Sequence, residues 1–187
     1  MADAQRERSA RDGAAAFDGS ALGAVDQVSV SAGGVPKRAV PEATITTGGV
    51  SGDRQRNTKL HGGPERAVCL FSADVIDRLQ AEGHPIAPGT AGENITLRGI
   101  DWSLVQPGTR LRLGEAALLQ VTRYTTPCAN ITDSFAGGRI DRINVKRYPA
   151  ESRVYARVLA EGMVRPGDRA ELLADATVEQ RREPVRP

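Results

Sequence analysis

Only one long stretch of this chain, Ala73–Glu82, places its apolar residues at helical spacing, and almost everywhere else they come in short runs closed by glycine or proline. Val75, Ile76 and Leu79 share one face of that stretch, with Ser72 placed to cap its start and Gly83 to end it. A second, shorter helix is predicted over Asn130–Phe135, stopped by Gly137-Gly138. The other runs read as strands: Val25–Val30, Thr44–Thr47, Ala67–Phe71, Asn94–Leu97, Thr109–Leu113, Ala116–Arg123, Ser152–Leu159 and Ala170–Leu173. Thr109–Leu113 and Ala116–Arg123 are expected to pair as a hairpin across Gly114-Glu115. With so few helices to cover them, strands this short must bury their apolar faces against one another. The predicted fold is therefore mainly β, a barrel or sandwich with small helical insertions.

The chain has 187 residues, enough for one domain with a core of its own. Residues 1–22 are polar, small and aperiodic and read as a disordered tail. Residues 23–175 read as one domain without internal repeats, and 176–187 as a frayed, charged C-terminal tail. The net charge of +2 excludes a general nucleic-acid-binding surface, so an anionic ligand would have to meet local clusters of Arg and Lys. No apolar stretch has signal-peptide or membrane-helix length, which points to a cytoplasmic protein with no membrane partner. Two cysteines, Cys69 and Cys128, are too few for a disulfide scaffold, although one bridge between them stays open.

Four segments carry chemistry-bearing residues. Cys128 follows Pro127 just past a strand end, where proline stops the ladder and sets the direction of the next side chain. Arg123, five residues earlier, would favour a thiolate if the side chains meet. A thiolate there would be a soft metal ligand, although a small buried hydrophobe is the alternative. Cys69, flanked by Val68 and Leu70, reads as core. The second segment is His61-Gly62-Gly63-Pro64-Glu65-Arg66, within an aperiodic loop over residues 48–66. Its glycines would let backbone amides approach a ligand, while the histidine could orient that ligand or be structural. His84 is isolated beside Pro85, so no zinc-type histidine pair is present. The third is a basic set, Lys37, Arg38, Arg54, Arg56, Lys59, Arg66 and Arg123, suited to an anionic partner or to a solvated surface. The fourth, Gly92-Glu93-Asn94, either touches ligand or pins a turn. Phosphate-loop, dinucleotide and serine-hydrolase motifs are missing from the sequence.

In order and spacing these segments resemble the MOSC domain family, named from the C-terminal domain of molybdenum cofactor sulfurases. The resemblance runs through Gly52-Asp53-Arg54, His61-Gly62-Gly63, Arg66-Ala67-Val68 and Gly92-Glu93-Asn94-Ile95-Thr96. It continues through Gly108-Thr109-Arg110-Leu111, Leu119-Gln120-Val121-Thr122, Pro127-Cys128, Tyr155-Ala156-Arg157-Val158-Leu159 and Gly167-Asp168. It implies a MOSC-type β-barrel with a few short helices, of the small stand-alone bacterial kind. It also implies a molybdenum cofactor bound through its anionic pterin, with Cys128 on the metal and His61 beside it in catalysis. Lys37, Arg54, His61, Gly62, Gly63, Arg66, Asn94, Arg123 and Thr125 are the implied cofactor-binding residues. Pyridoxal phosphate binding is a family association only. Glu65 departs from the aspartate frequent after the HGG step. The larger reductases of the family carry an extra N-terminal domain, and the first 22 residues are expected to be too short to supply it. The implied activity is reduction of N-hydroxylated small molecules. No flavin, haem or iron–sulfur motif is visible, so the electrons would come from a separate reductase. Two alternatives are a carrier of sulfur or cofactor using a persulfide on Cys128, and a non-catalytic binding module.

Overall fold

The computed structural model describes residues 21–54 and 63–173. The strands are β1 (Leu22–Val30), β2 (Arg38–Val40), β3 (Ala43–Thr46), β4 (Gly49–Val50), β5 (Val68–Ser72), β6 (Ile95–Arg98), β7 (Arg110–Leu113), β8 (Ala117–Tyr124), β9 (Val154–Ala160), β10 (Gly162–Val164) and β11 (Arg169–Leu173). The α-helix described is α1 (Ala73–Ala81), and short 3-10 turns make up the other helical pieces. The order β1-β6-β5-β9-β8-β7-β11 closes on itself because β11 pairs back onto β1, giving a seven-stranded barrel. Closure leaves few exposed edges, which answers the shortage of covering helices. β3, β4 and β10 form a small second sheet.

The expected hairpin is present, with Arg110 opposite Gln120 and Leu113 opposite Ala117. Its alternation puts Leu111, Leu113, Ala117, Leu119 and Val121 into the barrel interior. There they meet Val68, Leu70, Ile95 and Leu97. Each large apolar side chain buried in this way contributes about 1.5–3 kcal/mol. The parallel pair β5–β6 needs a crossover, which α1 supplies. The helix starts as expected, with the Ser72 hydroxyl accepting from the Val75 amide at 3.2 Å.

Several boundaries differ from the sequence-based expectation. β1 begins at Leu22, before the expected Val25, because Leu22–Ala24 pair with β11, a partner distant in sequence. β4 lies in the stretch read as a loop, and β2 and β10 in stretches given no element; all three are fixed by strand pairing, and β4 and β10 also by burying Val50 and Val164 in the core. The segment expected as a helix over Asn130–Phe135 is a 3-10 turn, Ala129–Ser134. Of the two expected tails, residues 1–20 and all of 176–187 lie outside the described residues, as do 174–175. Among the described residues, no helix is long and apolar enough to cross a membrane.

Candidate active site

Cys128 leaves the end of β8 in extended backbone (φ −136°, ψ 166°) and starts the 3-10 turn Ala129–Ser134, where its carbonyl accepts from the Ile131 amide. The thiol is free and half-buried. It lines a cavity of about 520 Å³. Lys37, Arg54, Arg66 and Arg153 line the same cavity, and no carboxylate does so among the described residues. The wall thus combines a soft sulfur with a surplus of positive charge.

The cations differ in how they are held. Lys37 Nζ pairs with Asp53 Oδ2 at 2.5 Å, with both side chains nearly buried. Asp53 is itself fixed, because Oδ1 accepts from the Ser31 amide and Oδ2 from Asn94 Nδ2 at 3.0 Å. Arg54 is exposed, and its backbone amide donates to the carbonyl of Ser31, the residue after β1. Arg66 is half-buried at the end of the 3-10 turn Pro64–Arg66. Arg153 is 6% exposed.

Asn94 lines the cavity, but its amide is spent on the protein. It accepts from the Cys69 amide at 3.2 Å and donates to the Ser29 carbonyl and Asp53. Glu93 beside it is fully buried; Oε1 accepts from the Gly89 amide at 2.6 Å and from Thr96 Oγ1, while Oε2 has no partner. Burial pushes its carboxyl above the ordinary range, against the pull of the Gly89 amide and the Arg153 charge. Gly92 sits at φ +86°, and a Cβ there would come within 3.2 Å of Val35, so the turn requires glycine.

Arg123, whose charge would favour a thiolate if it met Cys128, is exposed and is not among the residues lining the cavity. The β8–β9 register slips between Val121 and Arg123, and this bulge breaks the alternation that would have turned Arg123 inward with Val121. Thr125 is buried with its Oγ1 unpartnered, and its amide donates to the Arg153 carbonyl at 2.9 Å. Gly63 is exposed at φ +80° with open space where a Cβ would stand, so its conformation, not crowding, calls for glycine. His61 and Gly62 lie outside the described residues.

Sequence reasoning missed Arg153 and Tyr155 and placed Cys69 in the core alone. Cys69 is buried as expected, at 4% exposure, but also lines the cavity. Burial pushes its thiol up to about 11, opposed mainly by Arg153. Burial likewise pushes the Tyr155 phenol up to about 12, so it keeps its proton at neutral pH, and the residue lines the cavity. An arginine opening an otherwise alternating strand run was the one signal that could have found Arg153.

A family model described as the MOSC domain matches residues 57–171. The protein YflK of Bacillus subtilis (strain 168) is 33% identical over 124 residues, which is 66% of this chain and 55% of YflK. Protein YiiM of Escherichia coli (strain K12) is 32% identical over 98 residues, covering 50% of this chain and 43% of YiiM. A protein of Gibberella moniliformis named reductase is 30% identical over 129 residues, 67% of this chain but 22% of its own length. The crystal structure of YiiM from Escherichia coli superposes with a TM-score of 0.61 at 26% identity, over 83% of this chain and 71% of the other. The chain thus spans about half the length of the first two relatives.

Proposed function

Because this chain belongs to the MOSC domain family, we propose that it is a molybdenum cofactor-binding oxidoreductase that reduces N-hydroxylated small molecules. The supporting observation is the convergence of a half-buried thiol and four cations on one cavity whose described lining holds no carboxylate. That donor set suits an anionic group carrying a soft metal. Among the described residues no three His, Cys, Asp or Glu cluster at metal-binding distance, so a metal on Cys128 would take its other ligands from an organic partner. The reductase-named relative agrees with redox chemistry at family level. The domain is taken to run over residues 23–175, in the cytoplasm.

When bound, the molybdenum pterin supplies a two-electron centre. Cys128 supplies the thiolate ligand. Lys37, Arg54 and Arg66, which line the cavity, would hold the anionic pterin, while Asp53 and Asn94 keep Lys37 in place. His61, Gly62 and Gly63 are assigned to cofactor contact as well. Tyr155 holds a proton on its hydroxyl at neutral pH and can donate to a polar atom of the bound molecule. Overall the substrate N–O bond breaks, two electrons and two protons enter, and the oxygen leaves as water. A separate reductase delivers the electrons.

The test is metal analysis of protein purified from a host that makes the cofactor. Wild type should carry near-stoichiometric molybdenum and, given a chemical donor, reduce a hydroxylamine or an amidoxime. Cys128→Ser should lose most of both while remaining folded, because a hydroxyl is a poor substitute for a thiolate on the metal. Molybdenum retained in Cys128→Ser, or none in wild type, sinks the reading. A stable added sulfur at Cys128 without molybdenum would identify a carrier instead.

A further inference from the structure

We propose that Arg153 is the deep oxyanion-binding residue of this cavity, gripping a phosphate or carboxylate carried by the bound molecule. The residue stands immediately before β9, and its backbone is fixed on several sides. The Arg153 carbonyl accepts from the Thr125 amide at 2.9 Å and from Ser152 Oγ at 3.3 Å, and the Ser152 carbonyl accepts from Trp102 Nε1 at 2.7 Å. The side chain therefore projects from a rigid base onto the cavity wall.

Its charge is only partly answered by the described residues. Nη1 donates to the Ala91 carbonyl, Nε is buried with no partner, and no carboxylate forms an ion pair with it among the described residues. Glu93 is the acidic neighbour with an electrostatic pull on it, yet burial favours the uncharged form of that carboxyl. A buried guanidinium with unused donors carries a large desolvation cost, which a bound anion offsets. Lys37, by contrast, already has Asp53, and Arg54 is open to solvent. Gly92 keeps the approach to Nη1 clear, with the position of its missing Cβ 3.8 Å from that nitrogen. A guanidinium presents paired donors that match an oxyanion, which gives geometric selectivity as well as charge.

The anion can belong to the cofactor or to the substrate, and those two assignments rest on the molybdenum reading; oxyanion binding itself does not. The first arm therefore uses the full chain made without cofactor, titrated with inorganic phosphate and with pyrophosphate by calorimetry. Arg153→Gln should weaken binding on the order of ten-fold or more, the loss of a charge-assisted contact. Arg153→Lys should retain part of it and serves as the folded variant if Arg153→Gln does not fold. Arg157→Gln, on the exposed side of β9, should bind as wild type does. No phosphate binding by wild type, or equal affinity in Arg153→Gln and wild type, overturns the proposal.

The second arm uses cofactor-loaded protein to find the source. If Arg153→Gln loses molybdenum and pterin, the oxyanion is the cofactor's phosphate. If the metal stays while KM rises for a carboxylate-bearing hydroxylamine and not for a neutral one, the oxyanion is the substrate's. Wild type that binds phosphate but never acquires molybdenum would remove the redox reading and leave the oxyanion site standing.

Discussion

Cys69 and Cys128 show how one residue type takes two characters on one cavity wall. Cys69 is held in β5, paired opposite Tyr155, and burial pushes its thiol up to about 11. Cys128 hangs beyond the end of β8, half-buried and free. Since the thiolate is the reactive species, iodoacetamide at about pH 8 should modify Cys128 well before Cys69 under native conditions. Peptide mass spectrometry against time checks this, and equal rates would refute the difference in environment. The contrast was partly legible in the sequence, where Cys69 has apolar neighbours and Cys128 follows proline. That both line one cavity was not legible, because β5 and β8 are brought together across β9, a strand distant in sequence from β5.

At the scale of elements, the barrel depends on a close seam between β1 and β6. A Cβ added at Gly23 would stand 2.1 Å from the Arg98 carbonyl oxygen and 2.8 Å from Ile100 Cγ1. Backbone cannot yield as a flexible side-chain end can, so Gly23→Ala should destabilise by roughly 3 kcal/mol. The fall in urea midpoint measures it, and a variant as stable as wild type would show that the seam is looser than described. Leu22–Ala24 also meet β11 on the other edge of β1, so the same change strikes the strand that closes the ring. The local sequence around Gly23 carries no mark of this role.

For the whole molecule, pH dependence follows from burying Glu93 beneath the cavity. Its folded carboxyl titrates above its ordinary 4.5 because desolvation disfavours the charged form. Such a group contributes stability that is fully present below the unfolded value and is lost as pH rises through the folded one. Glu93→Gln keeps a carbonyl to accept from Gly89 and Thr96 and cannot ionise. The variant should gain stability relative to wild type as pH rises above about 4.5, read as diverging urea midpoints. A difference that stays constant over that range would contradict this account.

The order of short apolar runs and turns was enough to determine a mainly β fold with one capped helix, since period and punctuation are properties of neighbouring residues. The same local text held the glycine turn at Gly92 and the placement of Cys128 just past a strand end after Pro127. Ring closure through β11 and β1, the outward turn of Arg123 and the buried charge of Arg153 were decided by tertiary structure. Each depends on pairing or burial between segments far apart in the chain: a register slip in β8 moves one arginine to solvent, while the start of β9 fixes another against the cavity. Desolvation and strand register arise only when those segments meet, so a linear pattern of residues cannot encode which charges end up facing the ligand.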